Sequence, residues 1–178
     1  MVGPSTRTYL IGRPTHLIRV PLGTGMRRSD DPIDRRTHRK VGAYLFNQTW
    51  SLLDKKRRTA EEDDEMLHAA HASRYHWGRA GTALQRSIGE WQISRVYADL
   101  GRSEAALHHA RRSLELARRH RLAPFYVAYA YEALARAASL AGQRADRDRF
   151  VRAAQRFGSA VRDADDRRML EEDLGAIR

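Results

Sequence analysis

The residues with the most chemistry at regular spacing share one predicted helix: Asp64, His68 and His71, with Tyr75 one turn further on. At helical periodicity these four fall on one face, opposite Met66, Ala70, Ser73 and Trp77. Asp64 and His68 at i, i+4, and His68 and His71 at i, i+3, are spacings at which two ligands can share a metal ion. A site also needs ligands from a second element, and the sequence nominates none. His108 and His109 are adjacent, so their side chains diverge. The expectation is an Asp64–His68 pair on the helix surface, His71 packed against a neighbouring helix, and no cofactor. No Gly-rich phosphate loop, no Gly-x-Ser-x-Gly elbow and no cysteine occurs, so the chain is not expected to be an enzyme. A helical metal enzyme built on Asp64, His68 and His71 ranks last of three functions.

Charge points to a second chemistry. The 178 residues carry 33 Lys and Arg against 22 Asp and Glu, net +11. Residues 1–40 hold nine of the cations and three acids, with Pro4, Pro14, Pro21 and Pro32 among them, and no helical period survives. They are expected to form a disordered basic arm. Its Arg27, Arg28, Arg35, Arg36, Arg39 and Lys40 make nucleic acid or an anionic surface the alternative partner. No run approaches the length of a membrane span, and Gly12, Arg13 and Pro14 cut short the apolar Tyr9-Leu10-Ile11 before a signal peptide could form. A cytoplasmic location is the expectation.

From Val41 the pattern is helical throughout. A first helix is expected over about 41–56, ending in the cations Lys55 to Arg58. Thr59 then caps a second, with Glu62 completing a capping box. Gly78 and Gly81 should break the chain. Thr82 opens a third helix, Ser103 caps a fourth, Pro124 starts a fifth running to Leu140, a sixth follows Gly142, and a last begins near Asp163. Gly101 and Gly142 close matching turns 41 residues apart. A helix–turn–helix unit recurring at such a period predicts an all-α solenoid of about three hairpins plus a C-terminal capping helix, spanning residues 41–178.

The stretch Tyr97-Ala98-Asp99-Leu100-Gly101-Arg102-Ser103-Glu104-Ala105-Ala106-Leu107, followed by Ala110, Ser113, Leu114, Glu115 and Leu116, resembles a tetratricopeptide repeat. The small residues Ala106, Ala110 and Ser113 would let paired helices approach closely. The motif match covers residues 88–119. Residues 125–158 keep Leu134, Ala135, Ala138, Gly142 and Ala154 but place Arg147 where a small residue is wanted, and Asp54 stands at the first turn's Gly position. As architecture, residues 41–175 are similar to small bacterial tetratricopeptide-like proteins.

The resemblance implies a ligand groove lined by the first helix of each hairpin. Carried over residue by residue, it nominates Ile88, Trp91, Gln92, Arg95 and Asp99, then Tyr129, Glu132, Ala133, Arg136 and Ser139. Arg95 and Arg136 are register-equivalent, with Trp91 and Tyr129 nearby, which suits an acidic peptide segment. The competing expectation is that Arg95 pairs with Asp99 and Glu132 with Arg136, as surface i, i+4 ion pairs. The first-ranked function is a protein-interaction module that binds a partner segment in this groove.

Overall fold

The computed structural model describes residues 31–177, and among them the fold is all-α. Seven helices follow in order: α1 (Arg35–Leu53), α2 (Ala60–Ala80), α3 (Ala83–Asp99), α4 (Ser103–Arg119), α5 (Pro124–Leu140), α6 (Arg144–Gly158) and α7 (Ala164–Gly175). The first six form three hairpins, α1/α2, α3/α4 and α5/α6, and α7 covers the last one. The first helices of successive hairpins lie beside each other, α1 on α3 and α3 on α5, so the hairpins stack as a solenoid.

Local chemistry sets most helix ends. Thr59 and Thr82 each cap a helix with a full capping box, through Glu62 and Gln85. Asp163 accepts hydrogen bonds from the backbone N–H groups of Asp165 and Asp166 at the start of α7. Four expectations are corrected. The first helix begins at Arg35 rather than near Val41, because Asp34 accepts from both the backbone and the hydroxyl of Thr37. Arg35, Arg36, Arg39 and Lys40 are therefore exposed residues of α1 and not of a disordered arm, while Arg27 and Arg28 lie outside the described residues. That helix also ends at Leu53, and Arg58 reaches back from the connection to bond the carbonyls of Leu52 and Leu53. Gly78 lies inside α2, and Ser103 is the first residue of α4 with no side-chain cap before it.

Close approach within the hairpins rests on small residues. Ser87 and Ser113 each donate a hydroxyl hydrogen bond to the other's carbonyl at 3.0 Å, and Ser94 does so to Ala106 at 2.8 Å, joining α3 to α4. In α1/α2, Gly42 lies under the Trp77 ring. A Cβ there would meet the ring at 2.6 Å. The core runs along the stack in three clusters: Leu52, Met66, Ala70, Ile93 and Val96; Ala106, Leu107, Ala110, Ala133, Leu134 and Ala137; and Ala128, Tyr129, Ala154, Leu170 and Leu174. Each cluster joins one hairpin to its successor or to α7.

Three helix ends use the left-handed turn. Gly101 (φ +73) and Gly142 (φ +70) satisfy the last carbonyls with the paired bonds of a Schellman motif, Gly101 N–H to Ala98 and Arg102 N–H to Tyr97 in the first case. Arg121 (φ +50) does the same after α4 without being glycine. Nothing lies within 4 Å of a Cβ built at Gly101, so only backbone strain opposes a side chain there. Gly101→Val should cost about 1–2 kcal/mol, and Arg121→Gly should gain up to about 1 kcal/mol. Melting curves by circular dichroism should move by several degrees in opposite directions, with helical content at low temperature unchanged.

Candidate functional site

The stacking of first helices follows a 41-residue register. Trp50 on α1 meets Trp91 on α3, ring centroids 5.6 Å apart, and Trp91 donates its indole N–H to Glu132 on α5 at 3.3 Å. Tyr129 packs edge-on against Trp91 at 5.6 Å and donates its hydroxyl to Asp173 of α7 at 3.0 Å. Burial pushes the Tyr129 phenol pKa up, and the Asp173 carboxylate adds to it, so this hydroxyl stays a donor. Around these rings is a cavity of ≈ 270 Å³, whose lining includes Phe46, Trp50, Ile88, Trp91, Phe125, Tyr126, Tyr129, Met169 and Asp173.

A second cavity, ≈ 470 Å³, lies further along α3 and α5. Arg95, Ala98 and Asp99 of α3, Arg136, Ser139 and Leu140 of α5, and Ala176 and Ile177 after α7 line it. The expected groove residues thus divide between two cavities, Ile88, Trp91 and Tyr129 in the aromatic one and Arg95, Asp99, Arg136 and Ser139 in the basic one. Gln92, Glu132 and Ala133 are corrected. All three are buried, and Gln92 donates to the carbonyl of Phe46 on α1. Their side chains hold helices together and do not face a ligand. Tyr129 is also mostly buried, with one face on the cavity.

The ion pairs differ from the expected pattern in a way that matters. Asp99 pairs with Arg58 from the α1–α2 connection, not with Arg95. Glu132 does pair with Arg136, but the carboxylate is fully buried, so this is no surface pair. Arg95 makes no ion pair or side-chain hydrogen bond among the described residues. Burial and the neighbouring Arg95 charge push the Arg136 pKa down to about 10. The cation on α5 is structural as well as surface-facing. The cation on α3 is unspent.

The histidine face comes apart in three dimensions. His68 and Asp64 are exposed and 3.5 Å apart, whereas His71 turns to the Tyr97 hydroxyl at 3.0 Å. Among the described residues no three His, Cys, Asp or Glu groups gather as a metal would require. His71 instead borders a cluster that the sequence did not announce. Glu90, 3% exposed at its side chain, is 2.9 Å from Arg74 Nε, 3.0 Å from Arg112 Nε and 2.7 Å from His109 Nδ1. His109 stacks on Tyr97 at 5.5 Å. Burial lowers the His71 pKa, and the facing His109 lowers it further. The cluster ties α2, α3 and α4 together. Only the fold could reveal it, since Arg74, Glu90 and Arg112 have no helical spacing in common.

Burial alone would raise the Glu90 pKa, but the His109 hydrogen bond and the two guanidinium groups outweigh it and hold the carboxyl down at about 2. A folded-state value below the ordinary 4.5 means that the carboxylate stabilises the fold above pH 4.5 and that this contribution fades as pH falls towards 2. Wild type should lose stability over that window in acid titrations of the melting temperature. Glu90→Gln should show a shallower loss there and be destabilised by about 3 kcal/mol at neutral pH, because the half-buried Arg74 is left without its carboxylate.

A second pair of variants separates the two cavity arginines. Arg136→Met strands buried Glu132 and should cost about 3 kcal/mol, while Arg95→Gln should change stability by about 0.5 kcal/mol or less. Urea unfolding of the two proteins measures both. Compared with protein-family models, with curated proteins and with solved structures, the chain matches none.

Proposed function

We propose that this protein is a tetratricopeptide-like interaction module that takes an extended segment of a partner protein into the groove along α3, α5 and α7. The observation that carries this reading is the aromatic cavity. Six rings gather in it from α1, α3 and α5, leaving ≈ 270 Å³ that no side chain of the described residues fills. Concave sites lined by aromatic and apolar groups with a few polar atoms suit a buried anchor residue, and aromatic anchors in such pockets carry much of the energy of an interface. The basic cavity beside it suits an acidic partner.

No helix among the described residues is long and apolar enough to cross a membrane. The exposed cations Arg35, Arg36, Arg39 and Lys40 at the start of α1 support the alternative of nucleic-acid binding. Two measurements distinguish these readings. Peptides selected from a random display library against the purified chain should lose at least tenfold in affinity to Ile88→Arg, which fills the aromatic cavity from a half-buried position. Circular dichroism should show the variant folded. If the selected ligands ignore Ile88→Arg, the groove reading fails. A steeply salt-dependent affinity for DNA or RNA, lost when the four α1 cations become Gln, would put the alternative in its place.

A further inference from the structure

Arginine is spread unevenly over the second helices of the hairpins. Together α4 and α6 carry nine arginines against four carboxylates, whereas α2 carries two against five. The first helices α3 and α5 are balanced, three arginines against three carboxylates. The basic surplus thus belongs to α4 and α6.

Between those two helices lies a cleft. Both pack on α5 and not on each other. The cleft has a volume of ≈ 620 Å³, with Leu114 of α4, Tyr131 of α5, and Phe150 and Ala153 of α6 in its lining. The charged lining residues are Arg149, Arg152 and Arg156, all exposed. Arg149 pairs with Asp146 at 3.0 Å, while Arg152 and Arg156 have no ion pair or side-chain hydrogen bond among the described residues. Arg111 and Arg118 flank Leu114 one turn to either side, exposed and likewise unpaired. Two of the guanidinium groups rest on rings, Arg149 at 4.9 Å from the centre of Phe150 and Arg156 at 5.6 Å from that of Phe157. Cations held this way before a ligand arrives lose less entropy on binding it.

The charge density selects the occupant. Five arginines face or flank the cleft, and Glu115 and Asp146 are the carboxylates beside them, a surplus of three positive charges. From Arg149 to Arg156 the helix rises about 10 Å, at about 1.5 Å per residue. A nucleic-acid strand places one phosphate per about 3.4 Å, or about three in that length, and a duplex would bring about six. An extended acidic peptide turns one side chain in two to a given face, about 6.6 Å apart, and brings at most about two.

We infer that the α4/α6 cleft binds a single nucleic-acid strand, with phosphates on Arg152 and Arg156 and bases against the floor of Leu114 and Tyr131. A basic groove with an aromatic floor holds single strands with little regard to sequence. This site is separate from the groove along α3, α5 and α7 and does not depend on it.

The test uses the full chain and a fluorescein-labelled strand of twelve thymidine nucleotides, followed by fluorescence anisotropy from about 50 to 200 mM salt. Arg152→Gln/Arg156→Gln should weaken binding about tenfold or more at the lower salt and make the slope of log affinity against log salt shallower by about 1.4, the share of two phosphate contacts. Both positions are exposed, so circular dichroism should show the variant folded. Lys56→Gln/Arg57→Gln removes the same charge from exposed positions between α1 and α2 and should have a much smaller effect. Equal losses in the two variants, or an affinity unchanged by Arg152→Gln/Arg156→Gln, overturn the inference whether or not the α1 cations contribute. So does tighter binding of a twelve-base-pair duplex, or of a twelve-residue polyglutamate peptide, than of the single strand. If the strand does not bind the wild-type chain at the lower salt, the inference falls and the peptide groove is untouched.

Discussion

Every hairpin in this chain has an apolar face that only the next hairpin can cover, and the contacts that satisfy this recur at 41 residues. Trp50 covers Trp91, Trp91 reaches Glu132, and the glycine turns at 101 and 142 repeat at the same interval. Each hairpin in isolation would expose the residues that build its neighbour's core, such as Ile93 and Val96 or Ala133 and Leu134. Stability is therefore distributed along the stack rather than concentrated in one centre. The last unit meets the same requirement with Leu170 and Leu174 of α7, which cover Ala128, Tyr129 and Ala154.

The stacking also generates the groove. First helices approach through aromatic side chains too large to interdigitate fully, so rings line a cavity instead of filling it. A few residues further along, the same helices carry Ala98, Ser139 and the arginines, and the lining turns basic. Structural and surface roles meet in single residues. Glu132 binds an indole from α3 and a guanidinium from its own helix, so a fully buried carboxylate both ties hairpins together and orients Arg136. Such a buried pair adds little net stability, yet losing one partner is costly. The Glu90 cluster repeats this arrangement on the side where α2, α3 and α4 meet.

Much of this was legible in the sequence wherever the cause is local. Capping boxes at Thr59 and Thr82, proline at the start of α5 and glycine at the 101 and 142 turns act within a few residues, and each did what its spacing implies. Helical period alone also separated core from surface on α2 and α4, where Met66, Ala70, Ala106, Ala110 and Ser113 are all buried. Where Ser103 and Gly78 departed from expectation, the helix interior outweighed a weak local preference, since neighbouring turns and packing decide marginal positions. The early start of α1 came from Asp34, a cap hidden in a run dense with charge.

The sequence by itself determined the helices, their turns and the repeat, because hydrogen bonds within a few residues and a 3.6-residue period suffice for those. Tertiary structure alone decided which charge answers which. Arg95 and Asp99 sit at ideal helical spacing, yet Asp99 goes to Arg58, 41 residues away, and Arg95 is left facing the groove. His68 and His71 share a helix face, yet one meets solvent and the other Tyr97. Gln92 and Glu132 were expected to line a groove, yet both are buried between helices. A side chain's partner depends on what three-dimensional packing brings within about 4 Å. Coulomb attraction and desolvation act across that gap regardless of separation along the chain, and no one-dimensional spacing encodes it.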